Sequence, residues 1–183
     1  AEVSALDGRL RVRPAASPAR DVGSVVWFRP QLPVGTVVRM TFSLEEVAGS
    51  QLAPPEATLM WGATEPTGVA LRYTRSGRAA DYADVPRFEA DLPLPGAGSA
   101  AIAMRAHDPS APLVTGAVGR PAAGATIEAT LVVEASGQAL YLNGARVLQT
   151  DRAPRRGQLG LRVRNVGLRC DELRVGRVAK DGN

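Results

Sequence analysis

Cysteine is almost absent from this chain, and the rest of its reactive inventory is thin. The single thiol, Cys170, excludes an internal disulfide framework and a cysteine metal cluster. One histidine, His107, is too few for a histidine metal site or for a Ser-His-Asp arrangement with spare partners. His107-Asp108-Pro109 reads more simply as a turn that ends a strand. No apolar run approaches a membrane span, so no spanning segment is expected. Gly96-Ala97-Gly98 lacks the strand-to-helix setting that makes a phosphate loop. With 14 prolines and 19 glycines punctuating the chain, long helices are excluded as well. Aromatic residues make up only 4% of the chain, so each one is also a candidate for the core.

What is present is a set of alternating segments. Between Thr126 and Ala135, Ile127, Ala129, Leu131 and Val133 alternate with Glu128, Thr130, Val132 and Glu134, the period of a strand with one buried face. Ser136-Gly137 supplies one reversal, and Asn143-Gly144 a second by tolerating positive φ at both central positions. Placing Leu142 opposite Ala145 puts Leu140 opposite Val147. Placing Ala135 opposite Gln138 puts Val133 opposite Leu140 and Leu131 opposite Leu142. Both turns then agree on one apolar face of Leu131, Val133, Leu140, Leu142, Ala145 and Val147. Val132, Tyr141 and Arg146 form a row on the other side. A one-residue slip would put the apolar set into water, so the pattern specifies itself.

The same period recurs elsewhere. Leu10 and Val12 alternate with Arg9, Arg11 and Arg13 and stop at Pro14; Val25 to Arg29 is a compact apolar run; Val38, Met40, Phe42 and Leu44 alternate with Arg39, Thr41 and Ser43. Leu59 to Trp61, Val69 to Tyr73, Ile102 to Arg105 and Leu159 to Val163 read as further strands. Glu45 to Glu56, Arg75 to Gly98 and Ser110 to Ala125 read as loops. Leu168 and Cys170 share a parity that Leu173 and Val175 do not, which predicts a bulge at Asp171-Glu172. About ten short strands with turn signals between them predict one all-β domain over 1–183, an antiparallel two-sheet sandwich.

The runs ALYLNGARV (Ala139 to Val147), GQLGLRV (Gly157 to Val163) and CDELRV (Cys170 to Val175) resemble the C-terminal signature of concanavalin A-like lectin and glucanase domains. VVWFRPQLP and TVVRMTF are similar to the opening strands of bacterial members. The resemblance implies a jelly roll and leaves function open, since this scaffold hosts lectins, glycan-binding modules, adhesion domains and hydrolases. The laminarinase-type hydrolases on this fold carry a Glu-x-Asp-x-x-Glu strand that this chain lacks. Glu45 and Glu46 are adjacent and on a strand would face opposite ways. No catalytic residue and no metal ligand is therefore assigned. No cofactor is expected beyond the calcium that likeness to laminin G-like modules implies for Asp81 and Asp84.

Sugar binding asks for aromatic faces and planar polar groups, and the aromatic candidates are Trp27, Trp61, Tyr73, Tyr82 and Tyr141. Tyr141 and Arg146 sit opposite the apolar face and read as a contact for a neutral or acidic glycan, or as a plain cross-strand pair on a solvated sheet. The candidate ligand-binding set is Tyr141, Arg146, Trp61, Tyr73 and Arg72. The net charge of +4 comes from 22 basic residues among which Lys180 is the only lysine. Arg162, Arg164, Arg169 and Arg174 alternate with core residues, so several should share an outer surface able to read an anionic polymer. Interleaved aromatics and nucleic-acid motifs are missing, which sets nucleic acid aside. Three readings follow: a non-catalytic carbohydrate-binding or cell-surface interaction module, a glycoside hydrolase or lyase on the same fold, and a structural assembly module. The start at Ala1 accords with a processed bacterial export, hence a secreted, periplasmic or cell-surface place, or with an excised domain. Oligomeric state stays open.

Overall fold

Residues 2–6, 9–13, 24–46, 54–63, 87–106 and 112–178 are described by a computed structural model of the chain. Among them there are thirteen strands and no helix. In chain order they are β1 (Glu2–Leu6), β2 (Arg9–Arg13), β3 (Ser24–Leu32), β4 (Thr36–Glu46), β5 (Glu56–Ala63), β6 (Phe88–Asp91), β7 (Ser99–Ala106), β8 (Pro112–Gly119), β9 (Thr126–Glu134), β10 (Gly137–Leu142), β11 (Ala145–Thr150), β12 (Gly157–Arg164) and β13 (Val166–Arg177). They form a seven-stranded sheet, β1-β2-β13-β4-β9-β10-β11, and a six-stranded sheet, β3-β12-β5-β6-β7-β8, with every pairing antiparallel.

The alternating residues explain the two layers. Val38, Met40, Phe42 and Leu44 of β4, Ile127, Ala129, Leu131 and Val133 of β9, and Leu140 of β10 face Leu59, Trp61, Ala90, Met104, Leu159 and Leu161 from the other sheet in one buried cluster. Fully burying each such Leu, Val or Phe is worth about 1.5–3 kcal/mol. Asn165, at φ 51, is the corner between β12 and β13, where the chain leaves one sheet and enters the other. The expected bulge is present: Cys170 pairs with Phe42 and Glu172 with Thr41, so Asp171 is the extra residue and Leu173 returns to the core side. Cys170 is the small core hydrophobe that its parity predicts, and burial pushes its thiol pKa up to about 11.

The β9–β10–β11 meander has the expected strands and faces but different partners. The first reversal is Ala135-Ser136, so Leu140 opposes Leu131 and Leu142 opposes Ala129, each two residues along β9 from the sequence expectation. Gly137 causes the shift: it has φ +153, and a Cβ there would come within 2.3 Å of the Thr150 carbonyl oxygen, so it pairs tightly instead of turning. Asn143-Gly144 turns as expected, with φ 49 and 79. Beyond that turn, Tyr141 opposes Arg146 while Leu140 opposes Leu148, so Val147 is a bulged residue. Leu148, 2% exposed, takes the inner-face position opposite Leu140, the bulged Val147 is half-buried against the core, and Ala145 is exposed.

Three segments expected as loops contain strand. β4 runs through to Glu46, and β5 begins at Glu56. β6 escapes notice because it has four residues and its inward positions hold only Phe88 and Ala90, while Glu89 and Asp91 point away from the core. β8 opens with Pro112 and contains Gly116 and Gly119, residues poor in β-propensity that an edge strand tolerates. The expected Val69 to Tyr73 strand lies outside the described residues.

Candidate functional site

The outward side of the six-stranded sheet carries an aromatic ring beside a dense polar network. On β3, Val26 and Phe28 pack on the core, so Trp27 points outward, opposite Gly160 of β12. A Cβ on Gly160 would lie 2.5 Å from Trp27 Cε3, 2.6 Å from Cζ3 and 3.1 Å from Met60 Cε. The missing side chain is thus the slot in which the indole lies against the sheet. Trp27 is half-buried, and its enclosed Nε1–H has no hydrogen-bond partner among the described residues.

Register then lays out the neighbours. Trp27, Gly160, Met60, Glu89 and Arg105 form one cross-strand row, and Val25, Arg162, Thr58 and Asp91 the next. Arg105 donates from Nη1 to Asp91 Oδ1 at 2.6 Å and from Nη2 to Asp91 Oδ2 at 2.9 Å, a bidentate contact that raises the guanidinium's pKa further. The Ala103 N–H donates to the same carboxylate at 3.0 Å. Arg162 Nη2 meets both Glu56 and Glu89, Arg164 Nη2 meets Glu56 at 2.9 Å, and Arg87 Nε donates to Glu89 at 2.5 Å. Arg87 and Glu89 are only 8% and 9% exposed, which is sustainable because each has its counter-ion. The network fixes planar, charged groups in place before any ligand arrives, so binding would order few side chains.

The outward side of the seven-stranded sheet is different. Across it, Arg174, Arg39, Thr130, Tyr141 and Arg146 lie in one row. The sequence expectation that Tyr141 and Arg146 are neighbours on the outer face holds in position, though Thr130, not Val132, completes their row, and Val132 lies one row away opposite Ala139.

Other candidates are placed as follows. Trp61 belongs to the core, 1% exposed; its ring stacks on Phe88 at 5.9 Å and its Nε1–H donates to the buried Gln138, so no face of it is offered to a ligand. Tyr73, Arg72, Tyr82, His107, Asp81 and Asp84 lie outside the described residues. Of the four arginines among which several are expected to share an outer surface, two share each sheet: Arg162 and Arg164 on the six-stranded one, Arg169 and Arg174 on the other. Each meets a carboxylate. Among the described residues no cluster of three His, Cys, Asp or Glu side chains suits a metal ion, and no helix is long and apolar enough to cross a membrane.

Trp27 is legible in the sequence as an aromatic but not as an outward one. In Val25-Val26-Trp27-Phe28 every residue is apolar, so the run carries no parity. Gly160, flanked by Leu159 and Leu161, is the signal that could have found it: a glycine at an outward strand position marks a close approach.

No family model matches the sequence, and no curated protein matches it. Solved structures do. A galectin-like-fold protein of unknown function from Bacillus subtilis superposes with TM-score 0.69 at 16% identity, over 96% of this chain and 86% of the other. The carbohydrate-binding module CBM66 from Bacillus subtilis gives 0.64 at 10%, over 95% and 90%. A point variant of human galectin-16 gives 0.51 at 17%, over 86% and 95%. The chain has the galectin-like, concanavalin A-type jelly-roll fold.

Proposed function

We propose that this protein is a non-catalytic glycan-binding domain whose site is the outward face of the six-stranded sheet around Trp27. The observation that carries the reading is the indole seated in the Gly160 slot, next to guanidinium and carboxylate groups already locked to one another. A sugar presents an apolar C–H face and a ring of hydroxyls; the indole suits the first and the planar ion pairs the second. The similarity in fold to a carbohydrate-binding module and to lectin domains points the same way. Large flat apolar surface, which an assembly module needs, is not offered: Val34 and Val175 are the exposed large hydrophobics among the described residues. Insoluble polysaccharides are chiefly extracellular, so the reading carries export with it. A glycan array and pull-down on insoluble polysaccharides test the proposal; retention by wild type and its loss in Trp27→Ala support it, and no retention by wild type overturns it.

A second reading, glycoside cleavage, has one observation behind it. Glu56 and Glu89 reach the same Arg162 nitrogen, which brings two carboxyl groups together on an outward face; retaining hydrolysis needs such a pair about 5 Å apart. Each is engaged by two arginines, Glu56 by Arg162 and Arg164 and Glu89 by Arg87 and Arg162, so neither can meet a substrate without displacing a partner. Release of reducing ends from a bound oligosaccharide, abolished in Glu89→Gln, would establish this reading over the first.

A further inference from the structure

The seven-stranded sheet turns outward a set of arginines that the fold treats in two ways. Arg9 and Arg169 share Asp171, Arg11 meets Glu45 and Arg174 meets Glu172, so each of these four has a carboxylate partner within the sheet. Arg39 and Arg146 are exposed and have no carboxylate partner among the described residues. They are not scattered: both lie in the row Arg39, Thr130, Tyr141, Arg146, one residue from each of β4, β9, β10 and β11. With strands about 4.8 Å apart, the two guanidinium-bearing positions stand about 14 Å from each other, with a hydroxyl and a phenol between them.

What flanks this row limits what it can hold. Along the strands on one side lie Thr41, the Glu172 carboxylate already paired with Arg174, and the exposed carboxylate of Glu128, which repels an anion; on the other lie Val37, Val132 and Ala139, half-buried and apolar. An extended anionic chain would therefore run across the strands, along the row, with its apolar side over Tyr141 and Val132. We propose that this face is a second binding surface, separate from the Trp27 face, that takes a polysaccharide bearing carboxylate groups. The planar guanidinium fork matches a carboxylate in two parallel hydrogen bonds, and the tyrosine ring supplies a surface for the C–H side of a sugar. A single tyrosine, without interleaved aromatics, disfavours stacked nucleic-acid bases.

The test is affinity electrophoresis of the full chain through gels containing polygalacturonate, with fully methyl-esterified pectin, poly-glutamate and double-stranded DNA in parallel gels. Retardation by polygalacturonate, weakened by salt and absent in the methyl ester, is expected. Arg39→Gln and Arg146→Gln should each weaken it about tenfold, the factor that about 1.4 kcal/mol represents. Both positions are exposed, so an unchanged thermal midpoint will show the variants folded. Tyr141→Ala should weaken retention, whereas Trp27→Ala should leave it unchanged, which separates this surface from the proposed glycan site. Equal retardation by the methyl ester, full retention in the double arginine variant, or equal binding of poly-glutamate or DNA would overturn the proposal.

Discussion

Replacing Gly160 by alanine adds a methyl group where the structure leaves no room. The new Cβ would sit 2.5 Å from Trp27 Cε3 and 2.6 Å from Cζ3, whereas carbon atoms rest about 3.5–4.0 Å apart, so the ring must withdraw by about 1 Å. Two effects oppose each other in stability. Removing a glycine from a strand gains about 0.5–1 kcal/mol, while overpacking costs about 1–3 kcal/mol. Trp27 is half-buried, so the ring can relieve the clash by swinging toward solvent, and the net loss should be about 1 kcal/mol. The displaced ring is the main readout. Trp27 and Trp61 are the only tryptophans, and Trp61 is core, so a red shift in emission and greater acrylamide quenching in Gly160→Ala report Trp27 alone. Urea unfolding gives the stability change and a glycan pull-down the loss of binding. Emission and urea midpoint both equal to wild type would refute the packing argument.

Other expectations rest on separate parts of the fold. Gln138 is 2% exposed and links the Trp61 Nε1–H to the Arg152 carbonyl, so Gln138→Leu should cost about 2–4 kcal/mol in urea unfolding by stranding both groups. Because Leu148 is fully buried and Val147 only half-buried against the core, Leu148→Ala should cost about 2–5 kcal/mol and Val147→Ala clearly less. Cys170 should stay unreactive toward a disulfide reagent at pH 8 until the chain is unfolded. Burial raises its pKa from 9.0 to about 11, so the unfolded thiol ionises first: its contribution to stability is complete below pH 9 and should be lost as pH rises toward 11, measured as a falling urea midpoint.

Strict alternation with mixed polarity marks strand and face wherever it runs for several residues, as in β4 and β9, and even the parity break at Asp171 is visible in the sequence. Pairing is harder. Shifting a hairpin by two residues leaves every side chain on its own face, so the apolar pattern does not distinguish Leu140 opposite Val133 from Leu140 opposite Leu131; Gly137 decides it through its close approach to the Thr150 backbone, as the Val147 bulge decides the pairing of β10 with β11. The candidate site is less legible. Arginines and carboxylates that look like a solvated scatter in sequence become one network only because β5, β6, β7 and β12 lie side by side, and nothing local says that Glu56, Glu89 and Arg162 meet. Trp61 enters the candidate ligand-binding set ahead of Trp27 because both stand in apolar runs; only the partner strand separates them, Gly160 opposite one and Phe88 opposite the other.

The central claim is that sugar meets the protein at Trp27. Two tryptophans give two indole N–H signals, so a nitrogen–proton correlation spectrum, titrated with the best glycan from the array, reads both rings at once. A saturable shift of the Trp27 signal with the Trp61 signal nearly still is the expected result. Saturable binding that leaves the Trp27 signal unmoved would contradict it.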